Sequence, residues 1–240
     1  AGKCGSSYQG SGVYLESGTF NMGGGTTIKW CGEGVSNVGG QFSTNVSSGM
    51  NADLVDNGTG LMQRAGNSYV NEYARVYSNN TDGIHVTGGY GHLSGADVYS
   101  NRSCGLYIES GTFGCLGGSI RDNNKATTAG AGVQIASAGH FNMCGGSIYG
   151  NGGSYGRGIY NKGVSGMAGG KVSNQYESLY NNGTFSVTHG DFNANLYRSR
   201  YADVASAYAG NDWGALFHWL MYGIYEGRDA GSSNNTYINA

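Results

Sequence analysis

Residues Cys104–Ile120 read CGLYIESGTFGCLGGSI, and much of the chain is this stretch rewritten. It recurs as SGVYLESGTFNMGGGTTI over Ser11–Ile28, as AGVQIASAGHFNMCGGSI over Ala131–Ile148 and, eroded, as SLYNNGTFSVTHGDF over Ser178–Phe192. Each copy runs glycine, apolar, any, apolar, a glycine-bearing corner, phenylalanine, any, apolar, a second glycine corner and a further apolar residue. Short alternating runs punctuated by glycine describe strands and corners rather than helix. Self-similarity at a period in the twenties is the pattern of a solenoid.

Working outward from these copies, the opening apolar residues are Val13, Val35, Leu61, Ile84, Leu106, Val133, Ile159 and Leu179, in steps of 20 to 27 residues. They count about eight rungs. A bulky position follows: Phe20, Phe42, Tyr69, Tyr90, Phe113, Phe141, Met167 and Phe185. A third column reads Ile28, Leu54, Val76, Val98, Ile120, Ile148, Val172 and Phe192. Three residues beyond it stand Asn57, Asn79, Asn101, Asn123, Asn151 and Asn195, with Cys31 in that place in the first rung and Gln175 in the seventh. An amide repeated at one corner can stack at the strand spacing of ~4.8 Å and hydrogen-bond along the stack. Three short strands per turn, each pairing with its copy in the next turn, then build three parallel sheets around an apolar interior. Glycine serves the corners, where the backbone needs positive φ or close approach. No repeat holds a helical pattern long enough for a helical solenoid.

The 240 residues include 47 glycines, no proline, 19 tyrosines and only 12% charged residues. Regularly placed aromatics and low charge argue against disorder. A net charge of −2 without a basic run argues against nucleic acid as a partner. No apolar run approaches the ~20 residues of a membrane-spanning helix. The opening residues resemble no secretion signal, so any such segment is expected to have been removed. The wealth of Asn, Ser, Thr, Gly and Tyr points to a secreted, extracellular or cell-surface protein.

Five cysteines, Cys4, Cys31, Cys104, Cys115 and Cys144, include no CxxC pair, so neither a zinc site nor a redox motif is expected. Cys4 and Cys31 lie about one rung apart, as do Cys115 and Cys144. Either pair is a disulfide candidate, with Cys104 left over; buried free thiols are the alternative.

On these residues the sequence resembles right-handed parallel β-helix proteins, in particular the GVYxxxGTFxMxGGxI-type repeats of secreted and surface proteins of anaerobic, gut-type bacteria. The resemblance covers about residues 11–196. It implies an all-β, right-handed parallel β-helix and a place among adhesins, autotransporter-like passengers and secreted proteins of unassigned role. Polysaccharide lyases and phage tailspikes share the fold, so fold does not choose the function.

From Tyr197 the pattern changes. Tyr197, Tyr201, Val204 and Tyr208 fall at helical spacing, and Asn211 or Asp212 can cap a second helix carrying Trp213, Leu216, Phe217, Leu220 and Met221, stopped by Gly223. Tyr201, Asp203, Val204, His218, Tyr222, Gly223, Glu226, Gly227 and Arg228 resemble a small YxDV…HWxxYGxxEGR helical module of secreted proteins of Gram-positive anaerobes. The expected organisation is a β-helix over 1–196, a two-helix cap over 197–231 covering the open sheet end, and a tail over 232–240 that is loose or adds to a neighbouring molecule as a strand.

Three groups of outward residues are candidates for chemistry. Thr27, Asp53, Arg75, Asp97, Ser119, Ser147, Lys171 and Asp191 form one column. Within it Asp53 and Asp97 would lie ~9.6 Å apart, two rungs of ~4.8 Å, near the upper end of the about 6.5–9.5 Å of an inverting glycosidase pair. Arg75 sits between them, with Asp56, Arg64, Asp82 and His85 within reach by rung numbering. The plainer reading is a ladder of offset charges worth roughly 1 kcal/mol. A second column reads Tyr14, Ser36, Met62, His85, Tyr107, Gln134, Tyr160 and Tyr180, flanked by Glu16, Arg64, Glu109 and Lys162. Its Tyr14, His85, Tyr107, Tyr160 and Tyr180 suit stacking on sugar rings or a protein partner. The five histidines, His85, His92, His140, His189 and His218, lack metal-site spacing; His92 is expected near the interior and His218 in packing. No nucleotide-binding or nucleophile motif stands out, and no cofactor or metal is implied.

These features point to a non-enzymatic secreted or surface protein that serves structure or interaction and assembles with copies of itself, end to end or by strand exchange. The alternatives are a carbohydrate-active β-helix enzyme using Asp53, Arg75 and Asp97, or a glycan-binding adhesin.

Overall fold

The computed structural model describes residues 9–124, 130–173, 175–188, 193–223, 226, 228 and 237–239. Its strands stack in parallel as a β-solenoid. The opening column pairs in an unbroken register: Val13 with Val35, Leu61, Ile84, Leu106, Val133, Ile159 and Leu179 in turn. The third column pairs Ile28, Leu54, Val76, Val98, Ile120, Ile148 and Val172 as a separate seven-stranded sheet. Among the described residues there are seven full turns and two strands of an eighth. Phe192, Asp191, His189 and Cys4 lie outside the described residues. In the fifth and sixth turns the strands Leu106–Cys115 and Ala131–Met143 run through the first corner, which joins the first two columns into one 15-stranded sheet. Inward apolar residues from all three columns form one core along the axis.

The second column corrects the sequence reading. Phe42 faces Ser68, Ser68 faces Gly91, and Gly91 faces Phe113, so Tyr69 and Tyr90 stand one position off and on the outer side. In the seventh turn Ser165, not Met167, faces Phe141. The small residues have a packing reason. A Cβ on Gly91 would overlap the ring of Phe113 from the next turn, so one large ring occupies the space of two positions. His92 is likewise on the outer side, stacked on Tyr69 at 4.8 Å.

Beside the third column runs the asparagine ladder. Asn57 Oδ1 accepts the backbone N–H of Cys31, Asn79 Oδ1 that of Asn57, Asn101 Oδ1 that of Asn79, Asn123 Oδ1 that of Asn101 and Asn151 Oδ1 that of Asn123, all at 3.0–3.1 Å. Each Nδ2 donates to a carbonyl of the preceding turn: Ile28, Leu54, Val76, Val98 and Ile120. From Asn79 to Asn151 the amides also bond one another at 2.8–3.0 Å. The five side chains are at most 2% exposed. Gln175 continues the stack through Ile148 O at 3.4 Å. Asn195 does not, because it lies on a helix.

Two further columns follow from the ladder. Cβ atoms on the opening glycines Gly34, Gly60, Gly83, Gly105 and Gly132 would collide with the amides of Asn57, Asn79, Asn101, Asn123 and Asn151. These glycines therefore provide room rather than positive φ. The positive φ lies just before the ladder, at Trp30, Asp56, Ser78, Ser100, Asp122 and Gly150, with values of 52–63°. Five of these six are residues for which the left-handed region costs energy, and each is followed by a residue that anchors the corner.

Short helices close the chain: α1 Ala194–Arg200, α2 Ala202–Ala207 and α3 Asp212–His218, the last running into a wider π-type turn over Trp219–Gly223. The first helix expected through Tyr197, Tyr201, Val204 and Tyr208 is instead broken at Tyr201, which is extended. Asn193 caps α1 through Leu196 N–H, and the Asn211 side chain accepts from Gly214 N–H. Tyr197, Val204, Ala215 and Trp219 form a small core that packs on Leu116, Cys144 and Ala168, one corner of three successive turns. Among the described residues these helices lean on the flank of the solenoid. At its end the strand Tyr237–Asn239 pairs antiparallel with Thr184–Thr188, so the tail adds to its own sheet.

Replacing Asn101 by Ala deletes acceptors for two N–H donors and a donor to Val76 O in a site closed to water. At about 1–3 kcal/mol per stranded buried group, the loss of stability should be about 2–4 kcal/mol by urea denaturation. A change below about 0.5 kcal/mol, the range of ordinary surface substitutions, would mean the ladder does not hold the turns together.

Candidate functional site

With the interior fixed, function rests on the outer faces. The third-sheet column runs Thr27, Asp53, Arg75, Asp97, Ser119, Ser147 and Lys171 in register. Arg75 does not bridge the two carboxylates. Its Nε and one terminal nitrogen each meet an Asp53 carboxylate oxygen at 2.7 Å, a two-pronged pair. That pairing lifts the guanidinium further above its already high ordinary value, against the opposing effect of burial. Asp97 instead accepts the hydroxyl of Ser119 at 2.5 Å. Beside this column Tyr77 lies flat on Tyr99 at 4.9 Å, and Arg121 covers Tyr99 at 4.3 Å. Among the neighbours expected to join in, Arg64 and the Asp82–His85 pair are bonded on the first sheet.

The first-sheet column is likewise in register: Tyr14, Ser36, Met62, His85, Tyr107, Gln134, Tyr160 and Tyr180. It divides into three parts. In the last turns Tyr160 and Tyr180 meet edge to face at 5.2 Å, with Arg157 over both rings and ion-paired to Glu177 at 2.8 Å. Lys162 sits over Tyr160. In the middle, His85 Nδ1 lies 3.3 Å from Asp82 and its Nε2 3.4 Å from Glu109, with Tyr107 tilted over the ring at 4.7 Å. The buried Asp82 also accepts Cys104 N–H. Burial opposes a charge on His85, but Asp82 and Glu109 outweigh it and raise its pKa.

In the first turns the face opens into a groove of about 540 Å³, lined by side chains that include Ser11, Tyr14, Glu33, Ser36, Thr59, Arg64 and Thr81. Arg64 forks onto both oxygens of Glu33 and also donates to Ser36. The Arg64 hydrogen bond holds the Glu33 carboxyl below its ordinary range, against burial. Tyr14 is 62% exposed. Tyr14 was legible as an outward residue, but the Glu33–Arg64 fork was not, because its partners are 31 residues apart.

Cys115 and Cys144 follow the alternative reading, free thiols. Cys115 lies in the core and Cys144 on the corner facing the helices, so they occupy opposite sides of the chain and remain thiols. Burial pushes the thiols of Cys104, Cys115 and Cys144 up to about 12. Cys31 is buried, and its expected partner Cys4 is outside the described residues. Among the described residues no group of three or more His, Cys, Asp or Glu side chains is arranged to hold a metal ion, and no helix is long and apolar enough to cross a membrane.

The helical-module residues gather around one centre. Arg228 pairs with both oxygens of Asp203 at 2.7–2.8 Å, joins Glu226 and lies over Tyr201. His218 Nδ1 and Tyr197 Oη are hydrogen-bonded at 3.1 Å, and the Tyr222 ring is tilted against the imidazole at 5.4 Å. A Cβ at Gly223 would strike the Tyr197 hydroxyl. The spacing of this stretch is thus the spacing needed to tie the short helices together; Gly227 lies outside the described residues. Comparison with protein-family models, curated proteins and solved structures finds no match.

The His85 cluster gives a titration of known sign. A raised pKa means that the charged imidazole adds stability fully below the ordinary ~6.5 and loses it as pH rises through the folded value. NMR titration should place the His85 midpoint above that ordinary value, and Glu109→Gln should lower it. A midpoint at or below ~6.5 that ignores Glu109→Gln would rule out this pairing. His92, pushed by burial down to about 4, acts in the opposite sense: its contribution is present above ~6.5 and is lost as pH falls from there to about 4.

Proposed function

We propose that the chain is a non-enzymatic interaction protein of the cell exterior, a stiff solenoid that presents its first-sheet face to an extracellular partner. The observation that carries this reading is the mutual pairing of outward ionic groups across turns. Arg75 binds Asp53, Arg64 binds Glu33, His85 stands between Asp82 and Glu109, and Arg157 binds Glu177. Such pairs fix side-chain positions and cancel charge, which suits recognition. A glycan-cleaving site asks for two carboxylates with separate protonation tasks on either side of a bond, whereas Asp53 is forked by Arg75 and Asp97 is held by Ser119. The low charge, the Asn, Ser, Thr and Tyr content and the resemblance to secreted repeat proteins support an extracellular place.

A second reading, assembly with other copies, has its own observation. The tail strand Tyr237–Asn239 occupies the edge of Thr184–Thr188 in antiparallel sense, and a strand held at an edge can be exchanged with a neighbour.

One set of experiments addresses both. Purified protein should be retained on polysaccharide-rich cell-surface material without releasing reducing ends or unsaturated sugars, and should run as a monomer by light scattering. A release activity lost in Asp53→Asn or Asp97→Asn would replace the interaction reading with the enzymatic one. Oligomers that vanish when 232–240 are removed would establish strand exchange; oligomers that persist would place the contact elsewhere.

A further inference from the structure

We infer that the groove in the first turns of the first sheet is a subsite for a neutral, extended polysaccharide chain lying along the solenoid axis. This rests on the interaction reading and adds its location and ligand chemistry.

Charge comes first. Among the described residues the ionic groups lining the groove are Glu33 and Arg64, and they neutralise each other through a fork of hydrogen bonds. An anionic ligand would have to compete with Glu33 for Arg64, while a polyol would not. A guanidinium has five N–H donors; three are engaged by Glu33 and Ser36, which leaves two for ligand hydroxyls.

Acceptors line the same groove. Thr81 donates its hydroxyl to Gly58 O at 2.9 Å, so the 2.8 Å contact between the two threonine hydroxyls is donated by Thr59. Thr59 Oγ1 then keeps its lone pairs for an incoming O–H. Donor and acceptor at fixed positions match a sugar hydroxyl, which is both.

The third component is the ring of Tyr14. Elsewhere on this face aromatic rings cover one another: His85 with Tyr107, and Tyr160 with Tyr180. The column neighbour of Tyr14 is Ser36, which is small and buried. The space that a neighbouring ring would fill is left to the groove, and an apolar sugar face fits against the π surface.

Spacing supplies the direction. Ser11, Glu33 and Thr59 are register partners in three successive turns, hence ~4.8 Å apart along the axis. One pyranose unit of an extended chain advances by a comparable length, so successive sugars would meet successive turns.

The test uses the full chain and named probes: cello-, xylo- and chitohexaose as neutral ligands, and hexagalacturonate as the charged one. NMR titration with a neutral hexaose should give saturable shifts at Tyr14, Thr59 and Arg64. Tyr14→Ala, at an exposed position, should leave the circular dichroism unchanged and weaken binding about tenfold, the effect of losing one aromatic platform. Preference for hexagalacturonate would overturn the ligand class. Neutral binding that ignores Tyr14→Ala and Thr59→Ala but fails in Tyr160→Ala would overturn the location. Retention on cell-surface material without binding to any neutral hexaose would defeat this inference and leave the interaction reading standing. Failure of both would remove the two together.

Discussion

The buried stack of asparagine amides is the constraint on which the other columns depend. Asn57, Asn79, Asn101, Asn123 and Asn151 each bind back to the corner of the preceding turn, accepting one backbone N–H there and donating to the carbonyl three residues before it. A backbone group closed off from water must be paired, and at this corner the sheet ladder cannot do it because the chain is turning. The amide can, since it carries both a donor and an acceptor. Once it is in place, the facing position must lack a side chain, which makes the opening residue glycine, and the preceding residue must enter the left-handed region. Three features that look separate in the sequence thus have one cause.

That arrangement divides the labour of the residues. Inward positions are fixed by register and volume, as when the Phe113 ring takes the space left by Gly91. Outward positions are free of that demand, and here they hold cross-turn pairs of opposite charge and stacked rings. Individually such surface pairs add little stability. Repeated along a stiff scaffold, they set a fixed pattern of chemistry on each face. The groove beside Tyr14 is where that pattern leaves space for something else.

Much of the fold was legible because the period of two in each strand and the repeat in the twenties leave the same mark eight times. All eight opening residues and the first seven of the third column, Ile28 to Val172, pair as their spacing implies. The second column was misread at Tyr69 and Tyr90, since the eye follows large residues and the true occupants are Ser68 and Gly91. The left-handed corner was invisible, being built from Trp30, Asp56, Ser78, Ser100 and Asp122 with no common chemistry. Within the candidate faces, the outward columns could be read, but not which partner each charge would choose. Arg75 could reach Asp53 or Asp97, and only side-chain geometry decides. Cys115 and Cys144 looked like a cross-turn pair by count, yet one residue of offset turns one inward and the other outward.

Residue-resolved hydrogen exchange of the native protein tests the central claim most directly. The backbone amides of Cys31, Asn57, Asn79, Asn101 and Asn123 donate to side chains rather than to strands, and each sits at a corner. If the ladder organises the solenoid, these amides exchange as slowly as those of the core strands and open with them as one unit. Fast, independent exchange at these five, with protection confined to the strands, would show that the sheets hold the turns together and the ladder merely decorates them.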